Sequence, residues 1–434
     1  MFRAIDFIER KRDDGEHAER DLRAFVTAVR DEDIPDYQTA AWLMAVYFNG
    51  LCERELRAFT EALATSGDVV SLPPGKTAVD KHSTGGVGDK TTLIVAPLVA
   101  SCGLNVAKLS GRGLGFTGGT VDKLESIPGM NVHLATEDFA RQVDEIGIAI
   151  SGHSMALAPA EGKFYALRDV TGTVPSLPLI ASSIVSKKIA GGADAFVFDV
   201  KCGTGAFMQT PDDAHALARA LVDLSASLGR RSSCVISDMS QPLGEWVGNA
   251  VEVLEAIQVL SGKGPADTRE LSLALAAEML LIGGVAEDYE AAHGLAKRKL
   301  DSGEALEKFA SVVRMQGGDP TVCYEPERVL QAASRKKTIT APTRGYVGSL
   351  DARAVGNAIK ALGGGRTRKD DVVDLAVGVR IFKKIGDSVS EGEAVAEIYY
   401  NNDSQLAAAE LYFQEAYTFA DTAEPRRLIL DRVC

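Results

Sequence analysis

Cysteine is scarce, with six residues in a chain of 434, and no two stand in a Cys-x-x-Cys spacing. Cys52, Cys102, Cys202, Cys234, Cys323 and Cys434 are scattered, which reads as reduced thiols packed as small hydrophobes rather than a disulfide framework. There is no basic excess: the net charge is −13, which disfavours non-specific binding to nucleic acid or an anionic membrane. No long apolar run occurs. The longest, residues 93–107, is broken by Pro97, Ser101 and Gly103, whereas a bilayer span needs about 20 residues. Residues 1–10 are charged and helical in pattern, without the apolar stretch of a signal peptide. Low-complexity tracts and internal repeats are missing. These absences predict a cytoplasmic protein with no nucleic-acid or membrane partner.

What is present is the composition of an ordinary globular protein, 46% hydrophobic and 25% charged, in a chain long enough for several domains. Residues 1–70 carry helical periodicity and almost no glycine, and residues 41–48 read as one buried helix ended by Asn49-Gly50. Ser71-Leu72-Pro73-Pro74-Gly75 reads as a linker. From Lys76 onward strands alternate with helices, at 77–81, 105–109, 147–151, 195–200 and 233–237, which predicts a parallel sheet. Thr210, Pro211 and Gly229 mark the cap, first turn and end of one helix. Residues 161–193 turn helical again and are expected to return to the N-terminal helices.

After residue 338 the chain becomes β-rich, with Gly-Asp and Glu-Gly turns that resemble biotinyl-type barrel-sandwich modules. No lysine between two methionines is present, so structure rather than a swinging arm is expected there. The predicted fold class is α/β. It comprises a small all-helical domain (1–70, joined by 161–193), a large mixed or parallel α/β phosphate-binding domain (76–160 and 194–337), and a C-terminal α+β module of β-rich, barrel-sandwich type (338–434).

Two glycine-rich turns stand out. The first is Lys81-His82-Ser83-Thr84-Gly85-Gly86-Val87-Gly88-Asp89, and the second is Ser110-Gly111-Arg112-Gly113-Leu114-Gly115-Phe116-Thr117-Gly118-Gly119-Thr120. Each follows a strand-like run and precedes a helix-like one. Glycines admit an anion close to the backbone, and helix N-termini present unpaired N–H groups. Neither turn is a Walker A loop, and the second only loosely resembles a dinucleotide fingerprint. A single such turn is more often plain loop. Two in tandem, each with hydroxyls and lysine, predict a phosphate cradle.

These turns closely resemble the signature of the thymidine and pyrimidine-nucleoside phosphorylase family. The likeness continues through Tyr165-Ala166-Leu167-Arg168-Asp169, Ser183-Ile184-Val185-Ser186-Lys187-Lys188 and Ser237-Asp238-Met239-Ser240-Gln241-Pro242-Leu243-Gly244, over nearly the whole chain. The family implies phosphorolysis of pyrimidine nucleosides (uridine, thymidine, deoxyuridine) to free base and α-D-(deoxy)ribose 1-phosphate, in a cytoplasmic homodimer without an organic cofactor. By resemblance, phosphate falls to Lys81, His82, Ser83, Thr92, Lys108, Leu109, Ser110 and Thr120. The nucleoside falls to Leu114, Tyr165, Arg168, Ser183, Lys187 and Phe207, with His82, Arg168 and Lys187 catalytic. His82 is a general acid or, with equal weight, a donor that orients substrate. Arg168 has the plainer alternative of an ion pair with Asp169 or Glu161. His153 and His133 read as ordinary strand-end residues.

The family also implies a potassium site at Gly88, Lys90, Leu243, Trp246 and Glu255. There the chain departs from its relatives, since Lys90 and Trp246 replace small residues, and an ammonium at position 90 could take over the cation's electrostatic role. Phe116 stands where the family usually carries His. Lys108 marks the broad pyrimidine-specific branch. The alternatives are a phosphoribosyltransferase of the same fold and a thymidine-restricted phosphorylase.

Overall fold

The computed structural model describes residues 3–72, 75–113, 115–154, 156–368 and 371–434. Pro73 and Pro74 of the expected linker and Leu114 of the second turn lie outside the described residues. Four helices open the chain: α1 (Ala4–Arg12), α2 (Glu19–Arg30), α3 (Asp36–Asn49) and α4 (Glu53–Ala64). Strand and helix then alternate through β1 (Ala78–Ser83), α5 (Thr91–Ser101), β2 (Asn105–Ser110), α6 (Thr120–Leu124), α7 (Thr136–Ile146) and β3 (Ile148–Gly152). Two helices, α8 (Pro159–Thr171) and α9 (Leu177–Ala190), precede β4 (Ala195–Cys202), α10 (Pro211–Ser227), β5 (Arg231–Asp238) and β6 (Trp246–Gly248). A helical stretch follows, made of α11 (Ala250–Leu260), α12 (Ala266–Ile282), α13 (Tyr289–Asp301), α14 (Glu304–Met315) and α15 (Pro326–Val329). The chain ends with β7 (Arg335–Thr340), β8 (Gly345–Leu350), α16 (Ala352–Ala361), β9 (Gly378–Ile381), β10 (Ser388–Val389), β11 (Ala394–Tyr400), α17 (Asp403–Ala416), β12 (Tyr417–Ala420) and β13 (Ile429–Val433).

The central sheet has the order β13-β5-β4-β1-β2-β3. Strands β1 to β5 run parallel, and β13 closes one edge antiparallel to β5. Every residue of β2 and of β4 is buried, as expected of strands covered by helices on both faces. Helix α5 is apolar on all sides and lies under the sheet, with Leu93, Ile94, Val95, Leu98 and Val99 fully buried. Thr210 caps α10 by accepting the Asp213 N–H at 3.2 Å, Pro211 opens the helix, and Gly229 follows its end with φ of +72°. All five strands of the parallel sheet match the sequence expectation to within two or three residues.

The helical unit is held by an aromatic cluster. Trp42 has no exposed surface and packs with Phe7, Phe25, Phe59 and Phe164, its indole donating to His17 Nε2 at 3.1 Å. Phe164 belongs to α8, so the return segment completes this core. One expectation needs correction: residues 41–48 are not all buried. Tyr47 and Phe48 are 40% and 75% exposed, because they fall on the face of α3 turned away from the cluster.

The C-terminal part forms two small sheets, β10-β8-β12 and β6-β9-β11-β7, with α16 and α17 packed together. Its boundary is less simple than residue numbers suggest. Strand β6, from the α/β part, pairs with β9, and the final strand β13 leaves the module to join the parallel sheet. No described helix is long and apolar enough to cross a membrane.

Candidate active site

Because β1 and β2 are sheet neighbours, the two glycine-rich turns emerge side by side at the strands' C-terminal ends, where α/β sheets bind ligands. In the second turn the backbone doubles back on itself. A Cβ on Gly119 would lie 2.1 Å from Gly113 N, so only glycine fits there. Asp122 Oδ2 accepts the Gly113 N–H at 2.7 Å, and Arg112 and Arg366 both donate to Asp122 Oδ1. Arg366 lies beyond α16, so the C-terminal module pins this turn.

Under the turns lies a buried lattice of charge. Lys81 Nζ donates to Thr91 Oγ1 at 2.6 Å and lies 3.4 Å from Asp199. Lys201 pairs with Asp199 at 2.7 Å, and Ser83 donates to Asp89 at 2.5 Å. Lys108 and Lys188 face Asp80 at 3.8 and 2.6 Å and share the Leu109 carbonyl, at 2.9 and 3.2 Å. Four lysines thus meet three carboxylates (Asp80, Asp89, Asp199), an excess of one positive charge at the floor of the cradle when all four are protonated. Burial first, then the neighbouring Lys188, lowers the Lys108 pKa to about 7. A cation this costly to hold bare gains by meeting an anion. Leu109 enters through a carbonyl, an acceptor, so it serves the ammonium groups rather than an anion. Ser110 and Thr92 are also buried, and Thr120 opens α6.

His82 is the penultimate residue of β1, among these lysines. Desolvation, followed by repulsion from Lys188, Lys108, Lys187 and Lys81, holds its pKa well below the usual imidazole value. The ring is therefore neutral at pH 7 in the free protein, a donor rather than a resting acid. His153, expected as a plain strand-end residue, shares these surroundings. Its backbone N–H donates to Ser110 O at 3.1 Å, and burial and the same lysine cluster depress its pKa strongly.

Helices α8 and α9 supply the facing wall. Ser183 and Lys187, one helical turn apart, meet at 3.0 Å, and Lys187 also lies 5.2 Å over the Tyr165 ring. Glu161, which the sequence offered only as a partner of Arg168, instead pairs with Lys187 at 3.0 Å and accepts from Ser183. Arg168 makes no described bond to Glu161 or Asp169. Its guanidinium donates to the carbonyls of Val174, Leu179 and Thr173 at 2.7, 3.0 and 3.4 Å, leaving two of its five N–H groups. Phe207 belongs to neither helix but to the segment between β4 and α10. It sits 43% exposed beside Gly85 and 6.0 Å from the Phe116 ring, over which Arg353 of α16 lies at 4.7 Å.

Lys187 and Lys188 are adjacent in α9, yet one faces Glu161, Ser183 and Tyr165 while the other is anchored to Asp80 and the Leu109 carbonyl. The cradle and the facing wall therefore meet within one turn of helix.

The five positions of the implied potassium site do converge, but around an ammonium. Lys90 Nζ donates to Leu243 O at 3.0 Å, Trp246 O at 2.7 Å and Glu255 Oε2 at 2.6 Å, while Gly88 abuts Leu243. A second cation within about 3 Å of that nitrogen would be repelled by about 5 kcal/mol at an effective dielectric constant of about 20. These residues do not fit an additional metal ion.

Missed from the sequence were Glu161, Lys188, Asp80, Asp199, Lys201 and His153. Lys188 stood next to a chosen residue, Asp80 directly precedes Lys81, and Asp199 and Lys201 are polar breaks in the otherwise apolar β4. Lys188 and Asp80 stand 108 positions apart, and Lys81 and Asp199 farther still, so spacing could not pair them.

The architecture is that of the glycosyl transferases of this type. Residues 75–306 match the glycosyl transferase family a/b domain and residues 5–67 its helical bundle domain. The chain is also similar to the anthranilate phosphoribosyltransferase of Thermus thermophilus, with a TM-score of 0.58 at 19% identity over 71% of this chain and 98% of that one. At that identity the likeness shows the fold alone.

Residues 346–420 match the pyrimidine nucleoside phosphorylase C-terminal domain. Pyrimidine-nucleoside phosphorylases of Staphylococcus haemolyticus and Staphylococcus aureus are 49% and 50% identical, over 93% and 92% of both chains. The chain belongs to the pyrimidine-nucleoside phosphorylase family.

Proposed function

We propose that this protein catalyses phosphorolysis of pyrimidine nucleosides, with uridine, thymidine and deoxyuridine as substrates and free base and α-D-(deoxy)ribose 1-phosphate as products. The observation that carries this reading is the split of Lys187 and Lys188 between a nucleoside wall and an anion cradle. Orthophosphate on Lys81, Ser83, Lys108 and Ser110 attacks C1′ of the sugar. The glycosidic bond breaks with its electron pair passing to the pyrimidine nitrogen. The base leaves as an anion facing Arg168 and Lys187, both cationic, and His82 donates a hydrogen bond from its neutral ring. Positioning of the nucleophile and stabilisation of the departing charge supply the rate. Lys187 must exchange its bond to Glu161 for one to the base, so substrate binding remakes the Glu161–Ser183–Lys187 cluster.

The test is base release, followed by absorbance, from each nucleoside with and without phosphate. Release that requires orthophosphate supports the proposal. Base release absent from the nucleosides and seen only from a pyrimidine nucleoside 5′-monophosphate with pyrophosphate and Mg²⁺ would assign the chain to phosphoribosyl transfer, and release of thymine alone would mark a thymidine-restricted enzyme. We further propose a cytoplasmic homodimer. Six unpaired cysteines suit a reducing compartment. Tyr37 and Phe48 of α3, 74% and 75% exposed, offer an aromatic face for a second copy. Sedimentation as a monomer at micromolar concentration would refute the dimer.

A further inference from the structure

We propose that the Lys90 ammonium is a covalently attached substitute for a monovalent cation, which ties the first glycine turn to the Leu243–Trp246 strap and makes the protein independent of potassium.

The geometry is that of a filled coordination site. Neither Lys90 nor Glu255 has exposed side-chain surface. An ammonium has three N–H donors, and Lys90 has three oxygen partners at 2.6 to 3.0 Å, two carbonyls and one carboxylate. Both oxygens of the carboxylate are engaged in turn. Glu255 Oε2 also accepts the Trp246 N–H at 2.7 Å, and Oε1 accepts the Glu245 N–H at 2.8 Å. Gly244 closes the strap with φ of +74°, and a Cβ there would stand 2.3 Å from Glu255 Oε1 and 2.7 Å from Lys90 Nζ. The strap is thus shaped around the ammonium.

Its position explains what the ammonium does. Lys90 directly follows Asp89, which accepts from Ser83 and from Thr91 in the first turn. The strap continues into β6, which pairs with β9, and the Trp246 ring packs 5.1 Å from Tyr399. One nitrogen therefore couples the turn, helix α11 and the C-terminal sheet. A second buried pair flanks it one turn earlier on α11. Lys123 meets Glu252 at 3.0 Å and donates to Asp89 O at 2.8 Å. Helix α11 thus presents two carboxylates, each neutralised by a lysine of the chain itself.

The experiment compares the full-length protein in KCl and in choline chloride at matched ionic strength, reading thermal melting and uridine phosphorolysis. The activity readout rests on the function proposed above, whereas melting needs no turnover, so failure of one is distinguishable from failure of the other. Wild type is expected to melt at the same temperature in both salts and to turn over within about twofold. Lys90→Ser, which leaves the carboxylate and carbonyls in place, is expected to melt lower in choline chloride and to lose at least about tenfold in kcat/KM. KCl should restore both in that variant, as a ligand of the folded state does. Wild type that loses melting temperature or activity when potassium is withdrawn overturns the proposal, and this arm requires no variant to fold. So does a Lys90→Ser protein that matches wild type without potassium, or that stays depressed with it.

Discussion

Replacing Lys187 by alanine removes an ammonium that belongs to the proposed nucleoside wall rather than to the cradle. Its nitrogen lies 3.0 Å from both Glu161 and Ser183, and its side chain is 22% exposed. A unit charge about 4 Å from a departing base anion interacts by about 4 kcal/mol at an effective dielectric constant of about 20 and about 1 kcal/mol in bulk water. Partial burial puts Lys187 toward the first limit, and Arg168 remains in place. The expected loss is therefore about 3 kcal/mol of transition-state stabilisation, or about 10²-fold to 10³-fold in kcat. The variant also leaves Glu161, 5% exposed, without its cation, at a cost of about 1–3 kcal/mol in stability. The double variant Lys187→Ala/Glu161→Gln should recover that stability and none of the turnover. Steady-state kinetics of base release give kcat and KM separately, and urea unfolding gives the stability. A kcat within about threefold of wild type, or a loss confined to KM, would refute the assignment of Lys187 to the leaving group.

Lys108, with a pKa lowered to about 7, should bind phosphate less well as pH rises from about 7 to 9, by up to tenfold per unit once KM is referred to the dianion. Lys108→Arg should flatten that profile, and a flat wild-type profile would contradict the assignment. His82→Asn should keep kcat within about tenfold if a neutral donor suffices, because loss of a true general acid costs about 10²-fold to 10⁴-fold. Single-turnover base release distinguishes the two. His17 is buried and its pKa is lowered to about 4, chiefly by desolvation. The unfolded chain binds this proton first, so stability should fall as pH drops from about 6.5 to 4, by up to about 3 kcal/mol. Urea titrations should show the slope reduced in His17→Gln. Trp42→Ala, which empties the centre of the same cluster, should cost about 3–5 kcal/mol.

Much of the architecture was legible because it is locally encoded. Runs such as Val106-Ala107 and Phe196-Val197-Phe198 announce strands buried on both faces, and Thr210-Pro211 announces a capped helix. The glycine turns marked the cradle because close backbone approach allows no other residue at positions such as Gly119. The path of the last strand was not legible, since β13 joins β5 across nearly two hundred residues, Asp431 lying opposite Ile236. Nor was the exposure of Phe48, since an apolar helix shows the same periodicity whichever flank meets the core.

The sequence by itself determined the element types and the family, because each depends on local propensity or on an ordered run of motifs. Tertiary structure alone decided which charges meet. It paired Glu161 with Lys187 instead of Arg168, drew Lys188 and Asp80 into the cradle, and put the Lys90 ammonium where a metal ion was expected. The physical reason is that charge interaction depends on distance and burial, and both are properties of the folded chain.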